Sequence, residues 1–313
     1  MEESVELKGN IFDIQGLSIH DGPGCRTVIF MKGCPLNCEW CSNPEGIKPY
    51  TEPMYYADKC IKDGNCVDAC KQNAILINPE GKLIIQREKC RSCITYDCID
   101  ACLTGALKKS SSLIHMNEVL RIIQRDRQFW GASGGLTISG GEPLYQFPFA
   151  FELLKRAHDS YVHTAIETCG HISWEKYEKV IPFLDWIFFD LKQINPMKHF
   201  EKTGQTNEMI LDNARKLALN FKGRLVFRTP VIPGFNDDEK SINELINFVE
   251  ETGRKEINLL PLHLFGKQKY DLLGYETFPL IDSKIPDNES LNKIAKQFEN
   301  SGIKTYVGSE TDF

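Results

Sequence analysis

The sequence lacks the long apolar run that a membrane-spanning helix needs, and its acidic N-terminus lacks the apolar core of a secretory signal. It also lacks an excess of basic residues. The 37 lysines and arginines are outnumbered by 43 aspartates and glutamates, which gives a net charge of −6. A surface that holds nucleic acid through phosphate contacts is therefore not expected. We expect a cytoplasmic protein that binds neither membranes nor nucleic acids.

Cysteine, by contrast, is abundant, with 12 in 313 residues. Disulfides are not expected, because the cytoplasm keeps thiols reduced. Ten of the cysteines fall in two groups, at 34–41 and 60–102, and metal clusters explain such grouping economically. Cys25 and Cys169 stand apart, and we interpret both as small buried hydrophobic residues.

Outside residues 50–110, strand-like runs alternate with segments of helical periodicity. Strands that are apolar on both faces and alternate with helices indicate a parallel sheet covered by helices. Six to seven repeats are too few for a complete eight-stranded barrel, so we predict a partial (β/α)6 TIM-type barrel. The predicted strands lie at 27–31, 136–139, 162–167, 186–191, 224–231, 256–262 and 304–307. The predicted helices lie at 117–129, 147–160, 174–181, 208–220, 238–252 and 289–301.

Residues 50–110 interrupt this alternation and carry seven cysteines in two similar spacings, Cys-x5-Cys-x3-Cys and Cys-x2-Cys-x4-Cys-x3-Cys. Both resemble the two-cluster bacterial ferredoxins, in which the fourth cysteine of each run ligates the other cluster. We therefore divide the chain into a barrel, 1–49 and 111–313, and a ferredoxin-like insertion, 50–110. Two zinc knuckles are the alternative for the insertion.

The ferredoxin pattern predicts one or two auxiliary iron–sulfur clusters. The predicted ligand sets are Cys70, Cys90, Cys93 and Cys98 for one cluster, and Cys60, Cys66 and Cys102 with Asp63 for the other. Asp63 stands where the pattern has a cysteine, and a carboxylate can ligate iron. The alternative is an unrelated loop residue, which would leave a three-iron cluster or a water-ligated iron.

Three further cysteines, Cys34, Cys38 and Cys41, follow the first predicted strand in the spacing Cys-x3-Cys-x2-Cys. Three thiolates can hold only three corners of a 4Fe–4S cube, whereas ordinary electron-transfer clusters have four cysteine ligands. A fourth iron without a protein ligand suits a cluster that binds a substrate. A zinc site is the alternative, because paired cysteines often bind zinc.

Polar or glycine-rich residues follow six consecutive predicted strands, from the cysteine triad after the first to His263 after the sixth. Active-site groups of such barrels gather at the carboxyl-terminal edge of the strands, so we expect these residues to face one pocket. The four groups between them are Gly140-Gly141-Glu142-Pro143, Glu167-Thr168, Asp190-Leu191-Lys192 and Val231-Ile232-Pro233-Gly234.

The triad has the spacing of the radical S-adenosylmethionine (SAM) enzymes, and the chain resembles their glycyl-radical-enzyme activating enzymes over essentially its whole length. The motifs that carry the resemblance are Asp21-Gly22-Pro23-Gly24-x-Arg26, Cys41-Ser42-Asn43, Asp190-x-Lys192, Arg228…Val231-Ile232-Pro233-Gly234 and Leu260-Pro261-Leu262-His263. The insertion places the chain with the longer activases. It is most similar to activators of arylacetate decarboxylases such as 4-hydroxyphenylacetate decarboxylase.

This resemblance implies a 4Fe–4S cluster on the triad, with SAM bound to its open iron. The implied SAM contacts are Trp40, Asn43, Gly140, Gly141, Glu142, Lys192, Arg228 and His263. The implied monovalent-cation ligands are Glu167, Thr168 and Asp190. Helix caps or salt bridges are the alternative for Glu167 and Asp190, and a core position is the alternative for His263. Asp21 and Arg26 either contact the partner or fold the loop before the triad.

The implied activity is reductive cleavage of SAM, followed by removal of a hydrogen atom from one glycine of a partner glycyl radical enzyme. A flavodoxin or ferredoxin-type protein would donate the electron through the insertion, and we expect a monomer. One alternative is a radical SAM maturase of another protein or peptide, although those usually carry extra cysteines after the barrel, and none follows Cys169 here. Another is an iron–sulfur electron carrier.

Overall fold

The computed structural model describes residues 7–275 and 285–308. The strands, in chain order, are β1 (Lys8–Ser18), β2 (Arg26–Met31), β3 (Pro53–Tyr55), β4 (Ile75–Ile77), β5 (Leu83–Ile85), β6 (Leu107–Lys109), β7 (Ser112–His115), β8 (Gly135–Gly140), β9 (His163–Thr168), β10 (Trp186–Asp190), β11 (Arg224–Val231), β12 (Glu256–Pro261) and β13 (Lys304–Val307). The helices are α1 (Asn65–Asp68), α2 (Asp97–Asp100), α3 (Met116–Asp126), α4 (Phe147–Asp159), α5 (Trp174–Val180), α6 (Pro196–Thr203), α7 (Glu208–Asn220), α8 (Glu239–Thr252), α9 (Lys267–Leu273) and α10 (Asn288–Asn300).

Within these residues, nine strands form one sheet in the order β13-β12-β11-β10-β9-β8-β2-β1-β7. Seven neighbouring strands of this sheet are parallel: β2, β8, β9, β10, β11, β12 and β13. Strand β1 pairs antiparallel with β2 and with β7. The predicted parallel α/β sheet is therefore confirmed. Its predicted strands and helices agree with the structure to within a few residues at their ends. The sequence did not predict β1, β7, α6 or α9.

The helices cover the sheet through faces that the sequence periodicity encodes. Helix α8 buries Ile242, Leu245, Ile246 and Val249, which fall on one side of a helix with 3.6 residues per turn. Asp238 begins this helix by accepting a hydrogen bond from the Ser241 N–H at 3.0 Å. No helix among the described residues is long and apolar enough to cross a membrane.

The loop before β2 is held by Arg26, whose side chain is fully buried. Its guanidinium donates to the carbonyl of Pro23, in that loop, at 3.1 Å. It also donates to the hydroxyl of Thr137 at 2.7 Å and to the carbonyls of Leu136 and His163 at 2.6 and 3.2 Å. A side chain with these partners cannot reach another protein. Of the two alternatives for Arg26, the structure therefore supports folding of the loop.

Residues 50–110 contain two small antiparallel sheets, β3 with β6 and β4 with β5, together with the four-residue helices α1 and α2. Their shared core consists of Cys66, Cys70, Ala74, Ile75, Leu83, Cys90, Cys98 and Leu107. Half of that core is thiol, and its four cysteines come from both predicted ligand sets. The hydroxyl of Tyr275, just after α9, ties this segment to that helix by donating to Glu52 at 3.1 Å.

Candidate active site

The carboxyl ends of the parallel strands border one cavity of about 390 Å³. The predicted strand-end groups from β2 to β12 all contribute to its lining, as expected for an α/β fold. The predicted site residues that line it are Cys34, Cys38, Trp40, Cys41, Asn43, Gly140, Gly141, Glu167, Thr168, Asp190, Lys192, Arg228 and His263. Groups that are far apart in the sequence therefore share one volume of small-molecule size.

The three cysteines of the triad lie on a loop that the backbone fixes. The N–H of Cys34 donates to the carbonyl of Ile47 at 3.0 Å, and the N–H of Cys41 donates to the carbonyl of Cys38 at 3.1 Å. Burial raises the pKa of the Cys38 thiol and raises the pKa of the Cys41 thiol to about 12. Thiolates in such a place need a nearby positive charge, which the iron of a cluster supplies.

The arrangement of donors also bears on the zinc alternative. Within the described residues, no three cysteine, histidine or carboxylate side chains converge on the position of a single ion. A zinc ion draws four ligands to within about 2.3 Å of itself, whereas a cluster separates its thiolates with iron and sulfide. Three thiolates, from Cys34, Cys38 and Cys41, can hold three corners of such a cluster.

The charged side chains that line the cavity form ion pairs with one another. Arg228 contacts Glu167 at 2.7 Å and Asp190 at 3.4 Å, and Lys192 contacts Asp190 at 2.7 Å. Burial alone would lower the pKa of Arg228, but the two carboxylates hold it above its ordinary value. The lining carries three carboxylates, with Asp21 as the third, against two cations. This balance suits a ligand with net positive charge, such as SAM with its sulfonium and amino groups.

The predicted cation ligands are only partly free to bind one. The hydroxyl of Thr168 donates to Glu142 at 2.8 Å and also lies 2.7 Å from the hydroxyl of Tyr177 and 3.1 Å from the N–H of Gly170. That leaves the Thr168 side chain no lone pair for an ion. Any cation at this place would therefore rest on Glu167 and Asp190, which already pair with Arg228.

Glu142 does not line the cavity, contrary to the predicted contact with the amino group of SAM. Its carboxylate is fully buried and accepts hydrogen bonds from the Thr168 hydroxyl at 2.8 Å, the Cys169 N–H at 2.9 Å and the Leu144 N–H at 3.2 Å. Burial raises the pKa of Glu142, and these donors oppose the rise. We therefore assign Glu142 to joining the ends of β8 and β9 rather than to touching SAM.

Gly140 and Gly141 allow the end of β8 to approach the triad loop. A Cβ on Gly140 would lie 2.3 Å from the backbone nitrogen of Met31, and one on Gly141 would lie 2.5 Å from the carbonyl oxygen of Gly33. A side chain at either position would push the end of β8 away from the backbone of residues 31–33. The two glycines thus keep the triad beside the strand ends and also line the cavity.

Another part of the cavity lining is apolar. Trp40 packs on Phe235 with ring centroids 5.0 Å apart and also contacts Ile232 and Leu262. Such a surface can pack against an aromatic base, and the place of the adenine there stays a prediction.

His263 and Asn43 lie at the edge of the cavity. The His263 Nε2 lies 3.3 Å from the Ser42 hydroxyl, and the Asn43 side-chain oxygen accepts from Lys269 at 2.9 Å. Burial lowers the pKa of His263, so a neutral ring faces the cavity. His263 is thus a lining residue rather than a core histidine.

In the insertion, the structure brings together the same two sets that the ferredoxin pattern predicts. Cys60, Cys66, Cys102 and Asp63 line one small cavity. The other set is Cys70, Cys90, Cys93 and Cys98. Burial, and after it the neighbouring thiols, raise the pKa of Cys90 to about 11 and that of Cys98 to about 12. The carboxylate of Asp63 accepts from the Asn65 side chain at 2.8 Å.

One lining residue was not predicted from the sequence. Cys169, interpreted above as a small core residue, is buried but also lines the main cavity. The signal that could have indicated it is its place directly after Glu167-Thr168, at the end of β9.

Comparisons with known proteins agree with this geometry. The radical SAM superfamily matches residues 87–246, and a 4Fe-4S single cluster domain matches residues 20–77. Among solved structures, Streptococcus suis SuiB bound to the precursor peptide SuiA covers 92% of this chain and 49% of that chain, with a TM-score of 0.52. At 13% identity, this likeness shows the fold alone. Fold, cavity and cysteine triad define a radical SAM enzyme.

Relatives define the family within that class. The 4-hydroxyphenylacetate decarboxylase activating enzyme of Clostridioides difficile is 39% identical over 100% of both chains. The isethionate sulfite-lyase activating enzyme of Nitratidesulfovibrio vulgaris is 42% identical over 86% of this chain and 88% of its own. The chain belongs to the family of radical SAM activating enzymes. An electron carrier without SAM chemistry is thereby set aside.

Proposed function

We propose that this enzyme cleaves SAM reductively and uses the resulting 5′-deoxyadenosyl radical to take a hydrogen atom from one glycine of an arylacetate decarboxylase, a glycyl radical enzyme. The observation that carries the proposal is the meeting of Cys34, Cys38 and Cys41 with paired charges and an apolar wall in one cavity of about 390 Å³. The full-length likeness to a 4-hydroxyphenylacetate decarboxylase activating enzyme supports the choice of partner.

A 4Fe–4S cluster, when bound, would supply the electron that breaks a carbon–sulfur bond of SAM. The chain's own residues would bind and orient the substrate around it. Trp40 would support the adenine, and Lys192 would face the carboxylate of SAM. Arg228 keeps Glu167 and Asp190 in place by ion pairs at 2.7 and 3.4 Å.

We further propose that the chain is a partial (β/α)6 barrel with a ferredoxin-like insertion at 50–110. The insertion would hold two auxiliary clusters, on Cys70, Cys90, Cys93 and Cys98 and on Cys60, Cys66, Cys102 and Asp63. Those clusters would pass electrons from a flavodoxin or ferredoxin-type donor, and the enzyme would act as a monomer. A monovalent cation would bind at Glu167 and Asp190.

The test begins with anaerobically reconstituted protein, dithionite and SAM. We expect 5′-deoxyadenosine and methionine in equal amounts, and a glycyl doublet in the electron paramagnetic resonance (EPR) spectrum once 4-hydroxyphenylacetate decarboxylase is added. Isethionate sulfite-lyase serves as the comparison partner, because its activator is also similar to this chain. Absence of 5′-deoxyadenosine would refute the proposal, and a doublet only with the comparison partner would refute the choice of partner.

A further inference from the structure

A lysine outside the predicted site reaches two residues of the segment that follows the triad. The Nζ of Lys269, on α9, lies 2.6 Å from Oε1 of Glu45 and donates to Oδ1 of Asn43 at 2.9 Å. The Glu45 side chain is 9% exposed, and its Oε2 has no hydrogen-bond partner among the described residues. Lys269 forms the ion pair of this buried carboxylate, which holds the ammonium in place.

Contacts at both ends hold α9 in its place. Just before the helix, a Cβ on Gly266 would lie 2.8 Å from the carbonyl oxygen of Cys41, so the chain there lies directly against the triad loop. Near the end of the helix, the guanidinium of Arg87 in the insertion donates to the carbonyl of Leu272 at 3.1 Å. The helix also packs against the turn Pro44–Gly46 and against β3. The ammonium on α9 is therefore carried by a helix whose position is fixed by the triad loop and by the insertion.

The contact with Lys269 decides which way the Asn43 amide faces. An ammonium can only donate hydrogen bonds, so the group of Asn43 beside it must be the side-chain oxygen and not the NH2. Asn43 also lines the cavity, and no group of the described residues accepts a hydrogen bond from its NH2. The NH2 is therefore left to donate to a ligand in the cavity.

We propose that Lys269 is a positioning residue for SAM, which holds the Asn43 side chain so that its NH2 donates to an acceptor atom of SAM. This inference rests on the proposed function. Lys269 is not part of the cavity lining, so it acts through Asn43 and not by touching SAM. SAM carries acceptors in its carboxylate, its ribose and its adenine. An Asn43 amide turned by 180° would present its oxygen to these acceptors instead and would weaken binding.

The experiment measures SAM binding to the full-length, reconstituted protein with Lys269→Met, Asn43→Ala and both substitutions together. SAM is titrated against the EPR signal of the reduced cluster, which gives Kd, while KM and kcat are measured with excess dithionite. Lys269→Arg keeps a cation at the position. Lys267→Met is the matched control, because Lys267 lies on the same helix but is exposed and has no ion pair within the described part of the chain. Iron is counted in every sample.

We expect Lys269→Met to raise Kd and KM about fivefold, the usual effect of losing one neutral hydrogen bond, and to leave kcat near the wild-type value. Asn43→Ala should raise them by a similar factor. The double variant should bind SAM no more weakly than Asn43→Ala alone, because Lys269 acts through Asn43. Lys269→Arg should restore most of the affinity, and Lys267→Met should leave it unchanged.

An unchanged Kd in Lys269→Met would overturn the inference. Equal effects of Lys269→Met with and without the Asn43 side chain would overturn it too, and so would loss of iron from Lys269→Met, since both indicate a purely structural role. If Lys269→Met yields no folded protein, the same comparison is made in the Glu45→Gln protein, in which no buried carboxylate is left without its cation.

The two readouts separate this inference from the function on which it rests. If the wild type binds SAM but forms no 5′-deoxyadenosine, the proposed function fails, while the Kd values still test the role of Lys269. If the wild type forms 5′-deoxyadenosine while Lys269→Met binds SAM as tightly as the wild type, only the role of Lys269 fails.

Discussion

The cavity at the strand ends and the insertion both gather thiols, but different groups surround the thiols in each. In the cavity, Lys192 and Arg228 lie near the triad, and burial strongly raises the pKa of the Cys38 thiol. In the insertion, backbone N–H groups donate to the thiols, from Ala74 to Cys70 at 3.2 Å and from Leu107 to Cys102 at 3.3 Å. Charged side chains can bind and orient a charged substrate, whereas N–H donors only tune a cluster.

The two regions also differ in how far their apolar side chains are exposed. Ile94 and Leu103, beside the two cysteine sets of the insertion, are 90% and 81% exposed. Trp40 and Leu262, which line the cavity together with the triad, are both buried. Under the proposed function, the cavity would bind the substrate against buried apolar side chains, and the insertion would exchange electrons near the surface.

The largest expected effect comes from removing one ligand in each region. Cys38→Ala should lose about four irons and all SAM cleavage, because three thiolates are the minimum for a cube with one open iron. Cys90→Ala should lose iron as well but keep the SAM-induced change in the EPR spectrum. Iron counts and 5′-deoxyadenosine measure both. If Cys90→Ala abolished the SAM response, the division of labour between the regions would be wrong.

Removal of a buried charge should come next. Arg228→Met leaves the buried Glu167 without its cationic partner, while Asp190 keeps Lys192, and should reduce the free energy of unfolding by about 3–5 kcal/mol. The matched control is Arg215→Met, whose exposed pair with Glu251 should contribute less than about 1 kcal/mol. Denaturant unfolding measures both. Equal losses in the free energy of unfolding for the two variants would contradict the assignment of Arg228 to a buried ion-pair network.

Asp63 allows the insertion to be tested alone. Asp63→Ala should convert the cluster at Cys60, Cys66 and Cys102 to a three-iron form, whereas Asp63→Cys should keep four irons. EPR of the oxidised protein detects the three-iron form. SAM cleavage with excess dithionite should remain unchanged in both variants, since the barrel cavity is untouched. A three-iron signal already present in the wild type would show that Asp63 is not a ligand.

The smallest effect concerns acid stability of the barrel. Burial lowers the pKa of His199 to about 4, and the Nε2 of its fully buried ring has no hydrogen-bond partner among the described residues. The unfolded chain therefore binds more protons, so stability should fall by about 2 kcal/mol as the pH drops from 6.5 to 4. His199→Gln should lose less over this range.

The insertion provides the contrast for that titration, because residues 50–110 contain no histidine. Its thiol-rich core should therefore show no corresponding loss between pH 6.5 and 4. Unfolding curves at several pH values, for wild type and His199→Gln, give the slope for each protein. Identical slopes of stability against pH for the two proteins would show that His199 does not cause the loss of stability in acid.

The sequence predicted the regular part of the fold because its signals are local. The run Trp186-Ile187-Phe188-Phe189 is apolar on both faces, and it forms the buried strand β10. Strand β1 was missed because glycines interrupt its alternation. Gly9 is there for a tertiary reason, since a Cβ would lie 2.7 Å from the ring of Phe149.

The site was predicted less completely, again for physical reasons. The spacing of Cys34, Cys38 and Cys41 is a local signal, and strand ends placed most of the remaining lining. Glu142 was misassigned because its motif says nothing of Thr168 and Cys169, whose donors bury its carboxylate. Contacts between distant segments, such as that of the Cys169 N–H with Glu142, become visible only in the folded chain.

The central claim, hydrogen abstraction from a glycine of the partner, has one direct measurement. 4-Hydroxyphenylacetate decarboxylase is produced with deuterium at the glycine α-carbons and incubated with the reduced enzyme and SAM. Mass spectrometry then measures the deuterium content of the 5′-deoxyadenosine. The account predicts that one deuterium enters 5′-deoxyadenosine for each glycyl radical formed. Unlabelled 5′-deoxyadenosine with no glycyl doublet would contradict it.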